Sequence, residues 1–203
     1  VHDYSIDKHP KEKIIFWLAF LAVLSTPLIQ DLLDKVINGT GLYEGFVVVL
    51  PVITVFTGLY ALFNLYLWKL GWLRRFLLIP DLNGAWKCQG KTLYKNGAPA
   101  DFEWSGLIEI TQSWSKISIA FKGENSSSKS VSASLYEEKG TGYRLLYQYQ
   151  NCPEVSQSEL NIHLGSAELL FNQDCSKAQG NYYTDRHRST VGSMNLTKQR
   201  NSK

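Results

Sequence analysis

The sequence predicts two N-terminal transmembrane α-helices followed by an all-β domain that closes as a small antiparallel meander of about eight strands. Three observations carry this. Two long stretches near the N-terminus hold no charged residue. The apolar period then changes to two after Pro80. Short clusters of turn-forming residues punctuate the rest of the chain.

The first charge-free stretch runs from Ile14 to Gln30 and the second from Gly45 to Trp68. As helices they reach roughly 25 Å and about 36 Å at 1.5 Å per residue, near and above the thickness of a hydrocarbon core. Neither shows a polar face at helical spacing, and the remaining chain is too small to bury two such helices. A cleaved signal peptide and a pair of soluble core helices are the competing readings. The first lacks a small-x-small cleavage site. Trp17, Tyr66, Trp68 and Trp72 stand at the ends of the stretches, where amphipathic rings favour headgroup depth.

Lys8, Lys11 and Lys13 precede the first helix, and Lys69, Arg74 and Arg75 follow the second. The loop from Asp31 to Glu44 holds three acidic residues and Lys35 alone among cations. The excess of cations on one side predicts both termini in the cytoplasm. Three cysteines, Cys88, Cys152 and Cys175, without a C-x-x-C pair suit reduced thiols there. The expected organisation is a cytoplasmic segment over 1–13, a transmembrane hairpin over 14–72, a juxtamembrane linker over 73–80 and the β domain over 81–203.

In the β domain Trp86, Cys88 and Gly90 alternate with Lys87, Gln89 and Lys91. Phe102, Trp104, Ile108 and Ile110 alternate with polar residues, as do Ile117, Ile119 and Phe121. Further sets are Val131, Ala133, Leu135; Tyr143, Leu145, Tyr147, Tyr149; Leu160, Ile162, Leu164; Ala167 to Phe171; Gly180, Tyr182, Thr184; and Met194, Leu196. Asn96-Gly97, Gly123 to Ser128, Lys139 to Gly142, Asn172 to Ser176 and Asp185 to Gly192 read as loops. Closing the meander removes its edges; a sandwich is the alternative. The inner face collects Trp86, Phe102, Trp104, Tyr143, Tyr147, Tyr149 and Tyr182. Both a packed core and a partly hydrated pocket accommodate such rings. Their polar tips, which need partners when buried, favour the pocket.

No phosphate-binding glycine loop, nucleophile elbow or zinc spacing is present, so neither enzyme activity, metal nor cofactor is expected. His163, between Ile162 and Leu164, is expected on an exposed face. From Asp81 onward 14 Lys and Arg stand against 12 Asp and Glu, too balanced for a DNA or RNA surface. Cations do gather at Arg186-His187-Arg188, just after Tyr182-Tyr183-Thr184. A solvated hairpin turn and a phosphate-holding, base-stacking edge both fit those residues.

Two N-terminal helices thus lead through Pro80-Asp81-Leu82-Asn83-Gly84-x-Trp86 into a β domain that ends in Gly180-x-Tyr182-Tyr183-Thr184-x-Arg186 and Gly192-x-Met194-x-Leu196. This layout resembles the SMODS-associated two-transmembrane, β-strand-rich effectors of bacterial CBASS anti-phage systems. A Gly-x-Trp at the first strand also occurs in lipocalins. The resemblance implies a lipocalin-like barrel that binds a cyclic dinucleotide made by a partner nucleotidyltransferase. It further implies oligomerisation, disruption of the bacterial inner membrane and abortive infection. The expected ligand contacts, inferred from the residues, are Tyr143, Arg144, Tyr147, Tyr182, Tyr183, Thr184 and Arg186; Tyr143 and Arg144 fall on opposite faces of a regular strand. Thr54, Thr57, Gly58 and Asn64 are expected to form helix–helix contacts in lipid. The competing function is a membrane-tethered lipid-binding or scaffolding barrel.

Overall fold

The computed structural model describes residues 1–7, 9–39, 51–124, 126–153, 163–185 and 189–199. The chain forms two compact units, Lys8–Leu73 and Val1–Asp7 with Arg74–Lys203.

The first unit is a helical hairpin. Helix α1 spans Lys11–Gly39 and α2 spans Val52–Leu65, followed by a 3-10 turn at Leu67–Lys69. Leu18, Ala22 and Thr26, each four residues apart, are buried on α1, and Val55 and Phe63 on α2. Most other large apolar side chains are exposed, among them Phe16, Trp17, Leu21, Leu24, Leu28 and Ile53, as expected where lipid is the solvent. Polar groups fold back on the helices. Thr26 donates to Ala22 O at 2.6 Å and Thr57 to Ile53 O at 2.7 Å, which satisfies hydroxyls where a bilayer offers no partner. Tyr66 and Trp72 are exposed as expected of interface rings, but Trp68 is fully buried. Part of the predicted loop and the start of the second apolar run, residues 40–50, lie outside the described residues.

Helix α3, Gly71–Leu77, leads into the second unit. There β1 (His2–Asp3) and β2 (Ser5–Ile6) join β3 (Gly84–Lys95), β4 (Ala98–Gln112), β5 (Lys116–Gly123), β6 (Ser126–Glu138), β7 (Gly142–Pro153), β8 (His163–Phe171), β9 (Lys177–Thr184) and β10 (Thr190–Lys198). Strands β3 to β10 pair antiparallel in sequence order, and β10 returns to β3, so the sheet closes as an eight-stranded barrel. The β3–β4 turn is Asn96-Gly97, both at positive φ (51° and 77°), the two-residue connection whose twist matches a hairpin.

One end of the barrel is plugged. Trp86 has no exposed surface; its Nε1 donates to Leu82 O at 3.1 Å, and its ring meets Phe171 edge-on at 5.1 Å. Gln112 ties the plug together. Its Oε1 accepts from Leu82 N at 2.9 Å, its Nε2 donates to Tyr4 Oη at 3.1 Å, and its own N–H donates to Asn83 Oδ1 at 2.7 Å. Burial pushes the Tyr4 hydroxyl up to about 12, so it stays protonated and donates to Ser113 O. Burial likewise lifts the Cys88 thiol to about 12, and Cys88 and Cys175 are both free.

Four sequence expectations need correction. The segment before the hairpin is not separate: β1 pairs antiparallel with β5 and β2 pairs parallel with β6, so Val1–Asp7 belongs to the barrel unit. Two short polar strands carry no period that sequence reading detects. The β unit begins at Arg74 rather than residue 81, because Leu77, Ile79 and Leu82 are buried. The apolar sets around Leu164 and from Ala167 belong to one strand, β8, and Leu164 points out, 55% exposed, while His163 points in and is buried. A one-residue error in phase exchanges the two faces of a strand. Leu160 and Ile162 lie outside the described residues. Finally, Val131 is exposed at a bulge between Ser130 and Ser132, which interrupts the alternation of β6.

Removing the Gln112 side chain leaves the Leu82 N–H and the Tyr4 hydroxyl short of a buried partner, each a cost of about 1–3 kcal/mol. Gln112→Ala is therefore expected to lower stability by about 2–4 kcal/mol in urea unfolding followed by tryptophan fluorescence. Gln148→Ala, on the exposed outer wall, should shift it by less than about 0.5 kcal/mol.

Candidate functional site

The inner wall grades from sealed to open. At the plugged end Trp86, Cys88, Ile108, Ile110, Leu145, Leu169, Phe171 and Leu196 are buried. At the opposite end the inward positions become partly or largely exposed: Trp104, Phe121, Ser126, Ser128, Tyr149 and Thr184, with Phe102 64% exposed at the rim. The barrel thus has a mouth, formed where β3, β7 and β9 end and β4, β6, β8 and β10 begin.

Four rings lie against this wall opposite glycines. A side chain at Gly90 would collide with the Trp104 ring, at Gly106 with Phe121, at Gly165 with Tyr149 and at Gly192 with Tyr182. The registers agree: Gly90 pairs with Trp104, Gly165 with Tyr149 and Gly192 with Tyr182. Missing Cβ atoms let these rings pack close against the neighbouring backbone. Trp104 meets Phe121 at 5.4 Å and Tyr182 at 5.5 Å, both edge-on, and Tyr147 lies 6.0 Å from Tyr149.

Polar atoms interleave with the rings. The Tyr182 hydroxyl accepts from Trp104 Nε1 at 3.1 Å and shares a 2.7 Å hydrogen bond with Thr92 Oγ1. The Thr184 and Thr190 hydroxyls lie 2.8 Å apart, and Thr184 Oγ1 accepts the Thr190 N–H at 2.9 Å. Asn151, 5% exposed, pairs in register with Ser128 and His163. Its Nδ2 is buried and has no hydrogen-bond partner among the described residues. Such a donor is costly unless something else occupies its bond.

The seven residues expected to contact ligand do not form one site. Tyr182 and Thr184 do line the mouth. Tyr147 faces inward but deeper, where burial raises its hydroxyl pKa strongly. Tyr143 sits at the plugged end of the same strand, paired with Phe171; burial and the neighbouring Cys175 raise its pKa. Arg144 is on the outer wall, bound to Glu138 and Glu168, and Tyr183 is also outside, 56% exposed. Arg186 lies outside the described residues. Alternation puts Tyr143 and Arg144 on opposite faces, as expected of a regular strand, and it separates Tyr182 from Tyr183 in the same way. Thr92, Asn151, His163 and Thr190 were missed, because only the sheet register brings their strand ends together.

A depression of about 400 Å³ lies at the plugged end, lined by Asn83, Gly84, Asp174, Cys175, Ser176, Lys198 and Gln199. It holds no aromatic ring. Lys198 is engaged there, its Nζ 3.3 Å from Asp81 O and 5.2 Å from the Trp86 ring centre. The mouth, with rings and an unmatched donor, is the better candidate for a binding site.

Gly90→Ala tests the ring packing. It forces the Trp104 ring off the wall and should cost about 1–3 kcal/mol by thermal unfolding. In a Trp104→Ala background the clash is gone, and the same change should cost about 1 kcal/mol or less.

Comparison with known proteins agrees with this architecture part by part. A family profile described as "Cap15, TM helices" matches residues 12–69, and one described as "Cap15, cyclic dinucleotide receptor domain" matches residues 77–198. "CD-NTase-associated protein 15" of Yersinia aleksiciae is 39% identical over 144 residues, 71% of this chain and 67% of that protein. With a hairpin of two transmembrane helices and a receptor-domain barrel in matching order, this chain belongs to the Cap15 family.

Proposed function

We propose that the barrel mouth binds a cyclic dinucleotide and that the bound form self-associates and disrupts the bacterial inner membrane, aborting phage infection. The observation that carries this is the Asn151 Nδ2 donor, buried without a hydrogen-bond partner among the described residues at the end of the barrel that holds the rings. A cyclic dinucleotide presents two bases, each with a stacking face and a hydrogen-bonding edge. Trp104, Phe121, Tyr149 and Tyr182 offer faces, and Asn151, His163, Thr184 and Thr190 offer edge partners. Arg186, in the connection between β9 and β10, supplies charge for a phosphate. A lipid-binding barrel would want a wholly apolar entrance, and here Asn151, His163, Thr184 and Thr190 stand among the mouth positions. The domain is read as a receptor and not an enzyme.

The N-terminal strands pair within the barrel sheet, so the chain before the hairpin and the barrel after it share one side of the membrane. Lys11, Lys13, Arg74 and Arg75 flank the spans on that side, which by the positive-inside rule is the cytoplasm. Thr54, Thr57 and Gly58 are exposed on α2, with open space beside Gly58. They suit contact with α2 of another copy. Asn64, half-buried, adjoins that face.

Binding of a panel of 3′–5′ cyclic dinucleotides to the full chain in detergent, by calorimetry, tests the site. Trp104→Ala and Asn151→Ala should each weaken the best ligand by about tenfold or more, since a lost stack or buried bond costs on the order of 1–3 kcal/mol. Tyr183→Ala should leave affinity unchanged. The reverse pattern would move the site to the outer wall.

The output is tested separately. Gly58→Leu should spare binding and reduce dye release from liposomes, because the added side chain keeps helices apart. Undiminished release would remove this face of α2 from the assembly.

A further inference from the structure

The barrel has a seam. Among the described residues, strands β5 and β6 pair directly only at Ala120↔Lys129, Phe121↔Ser128 and Lys122↔Ser127, next to their connecting turn. Below that they diverge, and the N-terminal strands fill the gap: His2↔Ile117 and Asp3↔Lys116 on one side, Ser5↔Ser134 and Ile6↔Leu135 on the other. Asp7 N–H adds a bond to Leu135 O at 3.0 Å. A strand between antiparallel neighbours must run antiparallel to one and parallel to the other, as these do.

Ser130 stands at the fork. Its Oγ accepts the Ile119 N–H at 2.9 Å and lies 2.7 Å from His2 Nε2, and the β6 bulge follows at once. One inward position toward the mouth is Ser128, paired with Phe121. At the other end Tyr4 is buried in the plug against Gln112 and Ser113. Only residues 8–10 separate this segment from α1.

Both ends of the hairpin are therefore fastened to one barrel: through Val1–Asp7 before α1 and through the chain from Arg74 after α2. The first fastening is the weaker by construction. Among the described residues it holds two two-residue strands, against strands of 8 to 15 residues elsewhere. Short elements with few ladder bonds open first in local unfolding.

We propose that Val1–Asp7 is a releasable strap. It restrains the α1 end of the hairpin in the resting protein, and ligand in the mouth, pressing on Phe121 and Ser128, opens the fork at Ser130 and frees it. This rests on the mouth being the cyclic dinucleotide site. Freed, the hairpin keeps one attachment to the barrel, and its helices gain the latitude to meet those of other copies.

The Ser5 and Ser134 hydroxyl oxygens lie 2.7 Å apart, so cysteines at both positions should lock the strap. The full chain carrying Ser5→Cys and Ser134→Cys is placed in phosphatidylethanolamine–phosphatidylglycerol liposomes, and the disulfide is identified by mass spectrometry. The oxidised protein should bind the dinucleotide panel as the reduced one does but release no dye, and dithiothreitol should restore release. Tyr4→Ala, which loosens the strap, should release dye at lower dinucleotide concentration than the unsubstituted chain. Equal release from oxidised and reduced protein overturns the proposal, as does failure of the disulfide to form, and so does weaker release from Tyr4→Ala with binding intact. If the unsubstituted chain binds no dinucleotide, the reading of the mouth fails instead. The strap is then decided by the disulfide yield and by ligand-free leakage of Tyr4→Ala, which a restraint predicts above that of the unsubstituted chain.

Discussion

Trp86, seated across one end of the barrel and held by Leu82 O, makes the rest of the architecture directional. A closed sheet of eight strands can be filled from end to end by side chains. Here the indole, Phe171 and the Gln112–Tyr4–Leu82 bonds seal one end, and the same residues receive both segments that connect to the hairpin. At the far end of the strands the inward positions are more exposed. The plug thus fixes which end of the barrel is sealed.

The mouth exists because of what the wall lacks. Glycines at positions 90, 106, 165 and 192 sit under Trp104, Phe121, Tyr149 and Tyr182. A larger residue at any of them would collide with the ring it faces. The polar atoms set between the rings are satisfied by one another where they can be, as in the Trp104–Tyr182–Thr92 chain. Asn151 Nδ2, by contrast, is buried without a hydrogen-bond partner among the described residues.

Much of the fold was legible in sequence because two signals dominate it. Charge-free stretches longer than a core helix requires give the hairpin, and strict alternation with Asn-Gly and similar turns gives the barrel. The inward rings Trp86, Trp104, Tyr147, Tyr149 and Tyr182 followed from period alone. The errors share a cause. Period two says which residues share a face within one strand, but a bulge, a misplaced phase or a short polar strand breaks the inference silently. Val131, His163 and the pairing of residues 2–6 fell to these three respectively. The site was less legible still. Of the residues at the mouth, Tyr182 and Thr184 lie in the strand that carries the family resemblance, while Asn151, Thr92 and Thr190 come from three other strands and meet only through sheet register. Arg144 drew attention as a cation beside tyrosines, yet its charge is used on the outer wall against Glu138 and Glu168.

The central claim is that the end of the barrel opposite Trp86 receives a cyclic dinucleotide. Hydrogen exchange of the full chain in micelles, read by mass spectrometry with and without a panel of 3′–5′ cyclic dinucleotides, addresses it most directly. Ligand should slow exchange at the mouth ends of the strands, around Thr92, Trp104, Asn151 and Thr184. It should leave the plugged end, around Asn83 and Asp174–Ser176, unchanged. Protection confined to that plugged end, or protection nowhere with any member of the panel, would contradict the account.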